Sequence, residues 1–167
     1  MHDEHIESLI CAQLEPGDIS EDEAADRITS LIMGTNLRKG TASTGRTNIY
    51  AGQKGILGFE TEAINGFNSL DEAVTLGLVP PFQHVEKGQM IGTLKIIPFA
   101  VSGGVMDEIE IFSETHRPLF NLMPYTKKTA ILIQTKLTTT KLSVLDSTAK
   151  VTSQRLKVMD GELIDEK

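Results

Sequence analysis

Apolar and polar residues change their spacing several times along this chain, and each change predicts a different element. Over "SEDEAADRITSLIMG", Ala24, Ile28, Leu31 and Ile32 recur at helical spacing and give one apolar face. Ser20 stands as N-cap with Glu23 three residues on, a capping box. The acidic first turn suits the positive end of the helix dipole, and Gly34 is placed to end the helix in the left-handed conformation. Ahead of this helix the apolar run Leu9 to Leu14 predicts a strand, closed by a turn at Pro16-Gly17. In "GRTNIYAGQKGILGFE" the segments Asn48–Ala51 and Ile56–Phe59 flank the turn "GQKG" and predict a β-hairpin. A short helix follows over "TEAINGFNS" and a strand over "EAVTLGLV", and Pro80-Pro81 forces an extended connection.

The stretch "HVEKGQMIGTLKIIPFAV" alternates. A turn at Glu86-Lys87-Gly88, with Gly88 at positive φ, leads into a strand. Met90, Gly92, Leu94 and Ile96 share one side, and Ile91, Thr93, Lys95 and Ile97 the other. Lys95 is expected to lay its stem over Ile91 and Ile97 and put its amine in water. Pro98 cannot donate to a ladder and marks the strand's end. "GGVMDEIEIFSETHRP" predicts a second long helix, with Val105, Ile109, Phe112 and His116 on one face.

Beyond residue 128 the pattern changes. "TAILIQT" is a continuous apolar run, as in a strand buried on both faces. "SVLDSTAKVTSQRLKVMDG" predicts a helix with Ser143 as N-cap and Gly161 just past its end, and "ELID" a second strand. Strand, helix and strand in about forty residues is the pattern of a parallel βαβ unit. The expected fold class is therefore α+β: a mixed helix and β-hairpin region, 1–116, a linker, 117–128, and the first βαβ unit of an incomplete doubly wound α/β domain, 129–167. Parallel sheets are covered on both faces, so the chain reads as a fragment of a longer polypeptide or a truncated gene product.

Charge sharpens this division. The chain has 167 residues and a formal net charge of −7, which argues against a nucleic-acid binder needing a basic face. Residues 1–26 hold nine acidic side chains before the first base, Arg27, whereas residues 127–157 hold seven bases against Asp146 alone. The single cysteine, Cys11, excludes an internal disulfide and fits a reducing cytoplasm. No apolar run is long enough to span a bilayer, and the acidic start lacks the layout of a signal peptide.

The strand-to-helix turn "QTKLTTTKLSVLD" is the best candidate for chemistry. Ligands of open α/β sheets collect at the carboxyl ends of the strands, and a helix N-terminus offers unpaired N–H groups to an anion. Thr135, Thr138, Thr139, Thr140 and Ser143 supply hydroxyls there, and Lys136 and Lys141 supply charge. Asp146 either completes a capping box with Ser143 or accepts hydrogen bonds from a ligand. Neither a P-loop nor a dinucleotide fingerprint is present. His2 and His5 lie too near the terminus to favour a metal pair, and His84 has no evident catalytic partner.

The ordered segments "LEPGDISEDEAA", "GRTNIYA…GIL", "NSLDEAVTLGLVPPF", "VEKGQMIGTLKIIPFAV" and "LIQTKLTTTKLSVLDSTAKVTSQRL" together resemble the molybdopterin-binding family of molybdenum-cofactor biosynthesis, related to MoeA and Mog. The resemblance covers nearly the whole chain. It implies a cytoplasmic protein that binds molybdopterin, a small anionic pterin, and handles it during metal or nucleotide transfer. For the full-length protein it further implies Mg2+ and a nucleotide, and a homo-oligomer; the charge and hydropathy above give the expectation of no nucleic-acid and no membrane partner. It leaves open a molybdotransferase or a nucleotidyltransferase. The family's first loop reads T-G-x-E; Thr135 matches the threonine, Lys136 stands where glycine is usual, and Asp146 falls near an acidic segment. The rival expectation is a non-catalytic regulatory or interaction module. In a biotinyl or lipoyl carrier version of it, Lys54 in "GQKG" would be the modified lysine, but the flanking methionine of the biotin motif is missing.

Overall fold

The computed structural model describes residues 13–166 and divides the chain into two compact units, Met1–Leu122 and Met123–Lys167. The expected strand over Leu9–Leu14 and the residues His2, His5 and Cys11 fall wholly or mainly outside the described residues.

The first unit is mixed α+β. Its elements are β1 (Ile19–Ser20), α1 (Glu21–Ile32), β2 (Leu37–Lys39), β3 (Arg46–Ala51), β4 (Gly55–Gly58), α2 (Thr61–Asn68), β5 (Val74–Leu78), β6 (His84–Val85), β7 (Met90–Ile96), β8 (Ala100–Val101) and α3 (Gly103–His116). A last strand, β9 (Asn121–Pro124), runs out of it. The central sheet is antiparallel in the order β2-β3-β7-β5. A smaller sheet has the order β6-β4-β9, and β1 pairs with β8. α1 packs on β3 and β7 through Ala24, Ala25, Ile28 and Ile32, all fully buried with Ile49, Leu94 and Ile96 of the sheet.

The predicted hairpin does not form. β3 is occupied on both edges, by β2 and β7, so the turn after Ala51 carries the chain into the other sheet, where β4 pairs with β6 and β9. The strand over 90–96 forms and stops before Pro98, but its alternation breaks. Ile49 faces Gly92 and Tyr50 faces Met90, which leaves Ile91 as the extra residue of a β-bulge. Ile91 is thereby turned into the core and Met90 out of it. The Lys95 amine is not left to water: it donates to the Thr44 carbonyl at 2.6 Å and lies 3.9 Å from the Glu21 carboxylate. Beside it Asp22 accepts from the Gly45 N–H at 2.7 Å. The acidic start of α1 thus holds the turn between β2 and β3.

Helix ends depart from the predicted capping. Ser20 is the N-cap of α1, but its side chain makes no cap bond. Gly34 is not left-handed; α1 ends at Met33 in extended backbone, and the Gly34 N–H donates to Phe120 O at 3.0 Å. A side chain at Gly34 would overlap Asn121 and come within 2.6 Å of Phe120 O, so glycine serves close approach. Gly88 takes the predicted positive φ, 85°. α3 turns Met106, Ile109 and Ser113 into the core, while His116 stays exposed and stacks on Phe112 with ring centroids 4.1 Å apart.

The expected linker, 117–128, is in its first half part of this unit. Leu119, Phe120 and Leu122 are buried, and Leu119 N–H donates to Ile32 O at 3.0 Å. Residues 119–122 so supply partners to the carboxyl end of α1, whose last carbonyls have none within the helix.

The second unit holds β10 (Lys128–Leu132), α4 (Leu142–Val158) and β11 (Gly161–Glu166). β10 and β11 are parallel, as the βαβ pattern predicts, with a register shift after Ala130. α4 packs along β11; Leu145, Ala149 and Leu156 of the helix and Ala130, Leu132 and Leu163 of the strands are partly buried. β10 is not buried on both faces: Ile131 is 50% exposed, and Ile133 just past its end is 75% exposed. Within this unit, two strands and one helix supply a covering layer to one side of the ladder.

Candidate functional site

The predicted site residues lie together between β10 and the first turns of α4, at the carboxyl end of the parallel pair. Thr135, Lys136, Thr138 and Thr139 are exposed, and Thr140 is half-buried. Thr140 closes a turn within the loop. Its N–H donates to Leu137 O at 3.0 Å, and its hydroxyl accepts from Leu137 N–H at 3.1 Å. That hydroxyl is therefore engaged in shaping the loop, whereas the exposed threonines present theirs outward.

The N-cap of α4 is Lys141, not Ser143, and no side chain caps the helix. Ser143 is already the second helical residue and Asp146 the fifth, so the predicted capping box is absent. The reason is geometric: an N-cap needs extended backbone, and that falls at Lys141, with ψ 134°. The first N–H groups of the helix are consequently left without a side-chain partner from their own cap. Lys141 and Lys136 supply positive charge to the same loop, and Ser143 and Asp146 are exposed on the helix.

Two residues missing from the sequence-based set organise this end of the unit. Gln134 Nε2 donates to Leu145 O at 3.2 Å and to the Glu166 carboxylate at 2.6 Å. It pins the start of the loop to the helix and to the end of β11. Glu166 and Asp165 thereby bring acidic groups to the same end of the ladder as the lysines. The signal for Gln134 was the first polar side chain after the apolar run; Glu166 gave none, since a parallel register is needed to place it.

Away from this loop, a second polar cluster surrounds Glu86. Its carboxylate lies 2.9 Å from His84 Nε2 and 3.8 Å from Lys54 Nζ. The hydrogen bond from His84 is the largest cause that holds the Glu86 carboxyl below the usual glutamate range; desolvation opposes it, and the Lys54 and His84 charges add smaller lowering effects. Lys54, considered as a carrier lysine, is thus engaged with Glu86 at the turn. Among the described residues no three His, Cys, Asp or Glu side chains gather as a metal site, and no helix is long and apolar enough to cross a membrane.

Among the described residues the fold is α+β, with one parallel βαβ unit and a cationic, hydroxyl-rich turn at the carboxyl end of its first strand. No protein-family model, curated protein or solved structure matches the chain.

Proposed function

We propose that the second unit binds the phosphorylated pterin of molybdenum-cofactor assembly, in a cytoplasmic protein, and that the βαβ unit begins a doubly wound domain. The observation that supports this most is the position of the loop. Thr135 to Lys141 follows a parallel strand directly and leads into a helix N-terminus without a side-chain cap, where backbone N–H groups and two lysines favour an anion. In this reading Lys136 and Lys141 pair with the phosphate. Thr135, Thr138, Thr139 and Ser143 donate hydroxyl hydrogen bonds to it. Asp146 accepts from the amino groups of the pterin. The ligand is held and oriented; no residue of this chain is assigned a bond-making step.

Calorimetric titration with molybdopterin tests the reading. Binding is expected, and replacing Lys136 and Lys141 together by Ala should weaken it about a hundredfold or more, roughly tenfold for each of the two charge-assisted hydrogen bonds lost. No binding, or binding indifferent to both lysines, would overturn the assignment. The second reading, a non-catalytic interaction module, is favoured by the exposure of Thr135 to Thr139 and of Ile131, Ile133 and Leu142 in the same unit.

A further inference from the structure

We propose that Asn68 is an edge guard: its carboxamide occupies the outer side of β5 as the peptide group of a further strand would, and so keeps the central sheet from pairing with a second copy of itself. Every residue involved lies in the first unit, apart from the pterin reading of the second. The liability begins in the sequence. Residues 73–79, "AVTLGLV", carry no charge and no proline, and only Thr75 and Gly77 interrupt the apolar run. Short segments of this kind add readily to the strands of other chains. Asp71-Glu72 precede it and Pro80-Pro81 follow it, the charges and prolines that flank such segments in natural sequences.

The fold then sets this segment at a border. The order β2-β3-β7-β5 gives the central sheet two edges. β2 is blunt by itself, three residues long and carrying Arg38 and Lys39. β5 is five residues long without a charge, and among the described residues no strand lies on its outer side. Register fixes which groups face outward. Val79 N–H donates to Ile91 O at 2.8 Å, and Ala73 O accepts from Ile97 N–H at 2.8 Å. Peptide groups of an antiparallel strand alternate in direction, so Val74, Leu76 and Leu78 turn theirs away from β7. Leu76 is the midpoint. There Asn68, the last residue of α2, reaches across: Leu76 N–H donates to Asn68 Oδ1 at 2.7 Å, and Asn68 Nδ2 donates to Leu76 O at 2.9 Å. A carboxamide has the donor and acceptor of a peptide group, so this pair of bonds is the contact that a neighbouring strand would make. The outward Val74 N–H is also taken, by Asp71 O at 3.3 Å. A chain adding to β5 must break the Asn68 pair before it gains a bond at the middle of the strand.

The same two bonds tie α2 to the sheet, so guarding has to be separated from anchoring. Sedimentation velocity of the full chain, from micromolar to millimolar, should show N68A associating with rising concentration beyond the wild type. Amide exchange on the same samples locates the contact. In dilute N68A the Leu76 amide should exchange roughly tenfold faster than in the wild type, while the Val79 amide, held by β7, keeps its rate. In concentrated N68A the Leu76 protection should return, as a partner strand replaces the carboxamide. Thr75 is exposed and stands across from Lys95, so T75E suits the sheet's own pairing while charging its edge. N68A/T75E should therefore sediment as the wild type does, with the Leu76 amide still fast. N68S, too short to span both groups, repeats the test if N68A does not fold. N68A that sediments as the wild type at every concentration overturns the proposal. So does association with protection lost evenly over β3, β5 and β7, which makes Asn68 an anchor of the fold, or association that T75E leaves unchanged, which places the contact elsewhere.

Discussion

At the scale of single residues, the clearest electrostatic statement concerns Glu86. A carboxylate that accepts from His84 and faces Lys54 keeps its proton off to lower pH than a free glutamate. The sign of the linkage follows. The group binds fewer protons folded than unfolded, so its contribution is complete above the ordinary glutamate pKa and fades as pH falls through the lower folded value. Titration followed by carboxyl NMR should place the Glu86 midpoint below that of a reference glutamate, and H84A should move it back up. An unmoved midpoint in H84A would mean that the hydrogen bond is not the cause. Gly34 makes the residue-scale case for packing. A methyl group there meets the Phe120 carbonyl and the Asn121 side chain, and overpacking of this kind costs about 1–3 kcal/mol. G34A should lower the urea midpoint accordingly, with an unchanged slope.

At the scale of elements, local pattern and tertiary context divide the labour. The helices over 21–32, 61–68, 103–116 and 142–158, and the strands over 74–78 and 90–96, were legible because each carries its own periodicity or its own stop signal, such as Pro98. Pairing was not legible in the same way. β3 and β4 look like a hairpin because a glycine-flanked turn joins them, yet β7 takes the free edge of β3, and nothing in residues 45–60 encodes that competitor. The bulge at Ile91 was hidden for a related reason, since it exists only relative to the partner strand. Capping failed at Ser143 because the S-x-x-D spacing says nothing about where the backbone leaves the extended conformation. The loop between β10 and α4 was legible from the sequence as a cationic, threonine-rich turn between a strand and a helix. Gln134 and Glu166 became visible only once the parallel register set the two strand ends side by side.

At the scale of the whole molecule the two units differ in how much they bury. Among the described residues the first gathers twenty-one buried apolar side chains, and α4 of the second has none. Protection against amide exchange follows burial and local cooperativity. The amides of α4 should therefore exchange roughly tenfold or more faster than those of α1, β3 and β7 when measured on the intact chain. Equal protection would show that α4 is shielded by contacts this reading lacks. A final consequence lies in the bonds that residues 119–122 make to the end of α1. They join positions nearly ninety residues apart in the chain. On a ribosome, α1 and the β2–β3 pair emerge early and must wait, one sheet edge open, until β7 arrives to fill it. The first unit cannot close until Leu122 has cleared the exit tunnel. Translation that stalls between Met90 and Leu122 would expose this unfinished edge to other nascent chains and to chaperones, so the vulnerable interval in this protein's synthesis is written in its strand order.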